Sequence, residues 1–196
     1  MPDTDAVGGP WSGGDAADMT GWESALLVLV PEADPVVSVH RARLDLSARD
    51  GVPAHLTVLY PFLPPDRIGA ADLLALKRLF AGVASFEFML DRVSWFGDAV
   101  AWLGLHDEEP FRALTRLVCA AYPSCLPYGG RHDDVVPHLT IGHLGGPQAL
   151  RVAADAVRPQ LPVTARAAEV TLMAGPSADR RDAPARWSRL ATFPMR

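Results

Sequence analysis

The sequence predicts an α+β fold with a weak internal duplication. Three observations carry this expectation. Short β-prone runs are interspersed with stretches of helical apolar spacing, each half of the chain holds both kinds of element, and each half contains one His-Leu-Thr triplet on an extended run.

The elements follow in order. Residues 1–22 are rich in Gly, Pro, Asp and Ser and lack periodicity, so they are expected to form a flexible tail, with residues 23–196 as a single domain. Ser24 to Val30 is an apolar run closed by a proline, which predicts a central strand. Val36 to Leu46 reads as a short helix ended by Asp50-Gly51, and His55 to Tyr60 is β-prone between Pro53 and Pro61. Gly69 to Val83 places Leu73, Leu76, Leu79, Phe80 and Val83 at helical spacing. Phe86 to Phe96 and Val100 to Leu105 predict a strand pair turning at Gly97-Asp98, with Trp95 and Trp102 as core residues. Glu108 to Ala121 reads as a helix with Pro110 in its first turn and Phe111, Leu114, Leu117 and Val118 on one face. A loop from Tyr122 to Val136, a strand from His138 to Leu144 and a helix from Pro147 to Val157 come next. Val163 to Met173 and Trp187 to Phe193 complete the chain as strands, separated by a polar loop that holds Arg180 and Arg181.

The bulk properties bound the function. The 196 residues are 49% hydrophobic, enough for one sizeable core. A formal net charge of -5 argues against a non-specific grip on long nucleic acid, though local cations and backbone N–H groups can still hold one phosphate. Cys119 and Cys125 have no CxxC companion, so Cys119 reads as a small apolar residue and Cys125 as an incidental loop residue of a protein in a reducing cytoplasm. The apolar run Ala25 to Pro31 is far too short to span a membrane and follows acidic rather than basic residues, so it is not a signal peptide.

The chemistry is carried by a repeated motif. Pro53-Ala54-His55-Leu56-Thr57-Val58 recurs as Val136-Pro137-His138-Leu139-Thr140-Ile141. With six His and eight Thr, shuffling gives roughly 0.24 His-x-Thr triplets, and two are present. Residues two apart on a strand share a face, so each triplet presents an imidazole and a hydroxyl side by side while the central leucine enters the core. Two such strands brought together line a cleft suited to phosphodiester cleavage. One imidazole removes a proton, the other supplies one to the leaving oxygen, and the hydroxyls donate to non-bridging oxygens. No metal or other cofactor is needed for this scheme. A lone triplet reads better as a core histidine, and the duplication reverses that balance.

The paired strands, with Gly51 to Phe62 and with Pro127-Tyr128-Gly129-Gly130 leading into Val136 to Thr140, resemble the 2H phosphoesterase superfamily and its 2'-5' RNA ligase-like branch, over roughly residues 24–193. The resemblance implies two pseudo-symmetric lobes, each an antiparallel sheet with flanking helices, around a central cleft. It implies a metal-independent enzyme acting on a cyclic phosphodiester or 2'-5' linkage of a nucleotide or RNA end. His55 and His138 would be the acid–base pair, and Thr57 and Thr140 would bind the phosphate. Tyr128 is a candidate for stacking on a base and Arg131, with Arg180 and Arg181, for holding a charged group. The expected protein is a cytoplasmic monomer with no obligate protein partner. The rivals are a non-catalytic nucleotide or RNA-end binding module and a metal-dependent hydrolase. His132, Asp133 and Asp134 near His138 match no ligand spacing and read as a solvated loop. His40 and His106 read as surface residues. Simple alternation turns His143 and Tyr60 away from the His face, Tyr60 into the core.

Overall fold

The chain forms two four-stranded antiparallel sheets with helices packed against their strands, in a computed structural model that describes residues 21–131, 135–177, 179 and 186–196. The strands are β1 (Trp22–Leu29), β2 (His55–Leu59), β3 (Phe86–Phe96), β4 (Val100–Leu105), β5 (His138–Gly142), β6 (Val163–Ala167), β7 (Glu169–Pro176) and β8 (Ser188–Pro194). The helices are α1 (Asp34–Leu44), α2 (Leu46–Arg49), α3 (Ala70–Ala81), α4 (Glu109–Ala121) and α5 (Gly146–Val157). The sheet orders are β2-β1-β7-β8 and β5-β4-β3-β6, so each His-Leu-Thr strand is the edge strand of its own sheet.

The expected duplication is present, but the sheets are not contiguous halves of the chain. β3 belongs to the second sheet, and β7 and β8 return to the first. The single strand expected over Val163 to Met173 is therefore two strands, which part at Ala168 and enter different sheets. β1 begins at Trp22, two residues earlier than expected, because Trp22 pairs with Pro176. The proposed tail otherwise lies outside the described residues.

Helices α1 and α4 also cross between lobes. α1 follows β1 yet packs on β5, and α4 follows β4 yet packs on β2. α4 shows why. Its Phe111, Leu114 and Val118 are buried along one face, and loss of the Phe111 ring would cost about 3–5 kcal/mol. That face meets Leu56 and Val58 from the first sheet and Leu103, Leu105 and Leu139 from the second in one continuous core. A smaller cluster of Ala25, Leu27, Val52 and Met173 covers the opposite face of the first sheet, with Tyr60 and Trp187 packed against it.

Cys125 is buried and Cys119 only half-buried, the reverse of the expectation, because the chain after α4 folds back and Cys125 N–H bonds to the Tyr122 carbonyl. Both thiols are free.

Candidate active site

The register of the two edge strands aims the motif. Leu56 pairs with Val28 and Leu139 with Leu103, and all four side chains are buried in the core. His55 and Thr57 therefore face the other way, as do His138 and Thr140. The side chains of His55, Thr57, His138 and Thr140 line a single cavity of about 250 Å³.

The two imidazoles are held alike. His55 Nδ1 lies 2.8 Å from the Pro53 carbonyl, and His138 Nδ1 lies 2.7 Å from the Val136 carbonyl. A carbonyl only accepts, so each Nδ1 carries the proton in the neutral ring and each Nε2 keeps its lone pair. The carbonyl comes from the residue two positions upstream in both cases.

The electrostatics of the two rings differ. Burial, then the Arg41 guanidinium, and also charge on His138 push the His55 pKa down to about 4, against the opposing pull of the Pro53 carbonyl and Asp45. His138 is lowered by burial, with the Val136 carbonyl opposing. His138 meets an aromatic wall: Phe96 stands edge-on at 5.0 Å, Trp102 lies at 5.7 Å, and these two stack at 4.8 Å. Trp102 is buried as expected, but on the cleft face opposite Thr140 rather than in the core between the sheets. Trp95 packs against that core.

Two readings from simple alternation are overturned by bulges. Leu27 and Leu26 pair with Thr57 and Leu59, which leaves Val58 as an extra residue in β2. Trp102 and Ala101 pair with Thr140 and Gly142, which leaves Ile141 extra in β5. An extra residue shifts all later side chains to the other face. Tyr60 thus lines the cavity on the His55 side while packing against the small Ala25 cluster rather than the main core, with its hydroxyl donating to Glu23 Oε2 at 2.5 Å. His143 lines an adjoining cavity of about 480 Å³ with His138, Thr140, Phe96, Val100 and Tyr128. The Val58 carbonyl accepts from the buried Thr115 hydroxyl of α4 at 2.8 Å, which secures the bulge from behind.

Tyr128 stands where these cavities meet. Its backbone is left-handed, with φ of 51°, a strained conformation for a tyrosine. Burial raises its pKa and a hydrogen bond with the Thr57 hydroxyl opposes that rise. Arg131 is exposed and borders a shallow recess with Glu23, Tyr60 and Tyr128 at the cleft rim. Arg180, Arg181, His132, Asp133 and Asp134 lie outside the described residues. His106 is a surface residue paired with Asp91 at 2.7 Å. Among the described residues, no group of three or more His, Cys, Asp and Glu is arranged to hold a metal ion. Sequence reading missed Glu23, Asp50 and Phe96 in these walls, and Arg41 and Asp45 behind them. Only Arg41 left a signal, as an arginine four residues after Val37 on the face that α1 buries.

Comparison with known proteins decides the family. A model of the 2'-5' RNA ligase superfamily matches residues 30–177. The chain belongs to this superfamily. The match agrees with the 2H phosphoesterase resemblance carried by the two triplets. A sequence search of curated proteins found no match. Among solved structures the superfamily fold recurs in TT0787 of Thermus thermophilus, with a TM-score of 0.59 and 20% identity over 89% of this chain and 98% of that one. It recurs in E. coli LigT complexed with 3'-AMP, with a TM-score of 0.57 and 19% identity over 88% and 97%. LigT complexed with NADP+ gives 0.54 and 21% over 89% and 98%.

Proposed function

We propose that the chain is a metal-independent phosphoesterase that opens a cyclic phosphodiester or cleaves a 2'-5' linkage on a nucleotide or RNA end. The observation that carries this reading is the matched pair of imidazoles, each with Nδ1 tied to a carbonyl and both facing one cavity with two threonine hydroxyls.

In the hydrolytic direction, neutral His55 removes a proton from water through Nε2, and the water oxygen forms the new bond to phosphorus. As the bond from phosphorus to the leaving oxygen breaks, protonated His138 gives that oxygen its proton. Exchange of one proton with solvent resets the pair. The assignment follows from the charges: His55 faces the Arg41 cation, which disfavours its protonated form, and His138 has no such neighbour among the causes of its shift. Thr57 and Thr140 donate to the non-bridging oxygens as negative charge grows on them.

The adjoining cavity at His138, walled by Phe96, Val100 and Tyr128, suits a nucleobase. The complexes of LigT with 3'-AMP and with phosphate support a nucleotide ligand for this fold. The net charge of -5 favours a small nucleotide over long RNA. No helix among the described residues is long and apolar enough to cross a membrane. A cytoplasmic location, part of this proposal, is supported by two free thiols with no Cys-rich pattern, and a monomer is proposed with it.

The test is a panel of 2',3'-cyclic mononucleotides, 2'-5' dinucleotides and RNA ends assayed in EDTA. Wild type should turn over at least one class. His55→Ala and His138→Ala should each lose about 10²–10⁴-fold in kcat with an unchanged circular dichroism spectrum. The double variant should be little worse than either single one, because the pair acts as a unit. Binding without turnover would make the chain a binding module, and loss of activity in EDTA would make it a metal-dependent hydrolase.

A further inference from the structure

A buried ion pair stands behind the His55 side of the cleft. Arg41 is 3% exposed and Asp45 is 1% exposed. Arg41 Nε donates to Asp45 Oδ2 at 2.9 Å, and one terminal Arg41 nitrogen lies 2.8 Å from the same oxygen. That terminal nitrogen also donates to the Val52 carbonyl at 3.3 Å. Asp45 Oδ1 accepts from the Ser47 N–H at 2.9 Å and has His143 Nδ1 at 3.6 Å.

As a stabilising device this pair is poorly chosen. Removing two charges from water costs several kcal/mol per ion, and apolar residues of similar size often serve as well. Its connections are more informative. Val52 immediately precedes Pro53, whose carbonyl holds the His55 ring. His143 follows β5 and shares a cavity with His138. The clamp between them is tight: the N–H groups of His143 and Leu144 both donate to the Leu44 carbonyl, at 2.7 and 3.0 Å. A Cβ on Gly142 would come within 2.5 Å of Leu44 Cβ. On the matching helix of the other lobe, the buried polar residue that braces the edge strand is the neutral Thr115.

We propose that Arg41 and Asp45 are positioning residues of the active site, fixing the Val52–Pro53 backbone that orients His55, setting a cation behind that ring, and tying the His143 turn of the opposite strand to the same carboxylate. The catalytic consequence rests on the phosphoesterase reading; the electrostatic part does not. The charged and titratable groups around His55 are Arg41 and Asp45 from α1 and its end, His138 from β5, and Glu23, Asp50, Tyr60 and Tyr128 around the cavity. Arg41 disfavours charge on His55 and Asp45 favours it, with Arg41 the stronger.

The experiment follows the His55 Cε1–H signal by NMR against pH in the full chain. Arg41→Met should raise the His55 midpoint and Asp45→Asn should lower it, each by about half a pH unit or more. A pair that serves only packing would move both midpoints the same way or neither, and that result overturns the proposal. If either single variant fails to fold, Arg41→Met/Asp45→Leu leaves no unpaired charge, and its midpoint should rise because Arg41 outweighs Asp45. An unmoved midpoint there also overturns it.

With a 2',3'-cyclic mononucleotide, Arg41→Lys should keep the midpoint near wild type yet lower kcat about tenfold, with KM changed less than about threefold. Unchanged kcat would refute the positioning role. If wild type turns over no substrate in the panel, the phosphoesterase reading fails and the NMR shifts still decide the electrostatic claim.

Discussion

Tyr60 and His143 occupy matching places: each lies five residues after a cleft histidine, and each reaches a cavity wall because its strand carries one extra residue. The two sites have diverged around this shared device. Tyr60 donates to Glu23 on one side, and His143 leans on Asp45 on the other. The same backbone irregularity therefore supplies a hydroxyl near His55 and a third imidazole near His138.

The pH dependence of activity should reflect the inequality of the two rings. The base must be neutral, so kcat/KM should rise as pH rises through the His55 pKa of about 4. The acid must be protonated, so kcat/KM should fall as pH rises through the His138 pKa, which burial places below its ordinary 6.5. The optimum should therefore lie below pH 6.5, measured with a substrate whose own ionisation is constant over that range.

Stability should carry a related signature. Between pH 6.5 and about 4 the folded state holds His55 neutral while the unfolded chain takes up the proton. The unfolded state binds more protons in this window, so His55 removes stability as pH falls through it, and none above it. Urea unfolding of His55→Ala should show a smaller loss between pH 6.5 and 4 than wild type shows. An equal loss would contradict the depressed pKa.

The threonines are expected to act in the transition state. Thr57→Val and Thr140→Val should each lower kcat about a hundredfold with little change in KM, since the hydroxyl's donation matters most as charge develops. Thr57→Val also removes the bond to Tyr128, so its effect should be the larger of the two.

Phe96 is 37% exposed beside His138 and is poised to meet a base. Phe96→Ala should raise KM for a nucleotide substrate about tenfold, in line with roughly 1–3 kcal/mol for a stacked base. Its kcat should stay within about threefold of wild type. The check is steady-state kinetics on one cyclic mononucleotide.

Much of this was legible in the residues. Alternation and helical spacing located β3 and β4 to the residue, and the fixed two-residue offset of His and Thr put both side chains on one face. The bulges were not legible, because Val58 and Ile141 are β-branched apolar residues that fit a regular strand equally well. Those two positions account for the misplacement of Tyr60 and His143. The buried Arg41–Asp45 pair was not legible either, because its i, i+4 spacing is equally that of a solvated helix pair, and the packing of α1 on β5 of the other sheet is not written in the local sequence. The division at Ala168 was hidden for the same reason, since strand propensity does not say which sheet a strand joins.

The most direct test is a crystal structure of the protein with a nucleoside vanadate, which mimics the five-coordinate phosphorus. Both Nε2 atoms, of His55 and of His138, should lie within hydrogen-bond distance of opposite apical oxygens on one vanadium, with the threonine hydroxyls on its equatorial oxygens. A vanadate held elsewhere, or touched by only one of the two rings, would contradict the paired-histidine account.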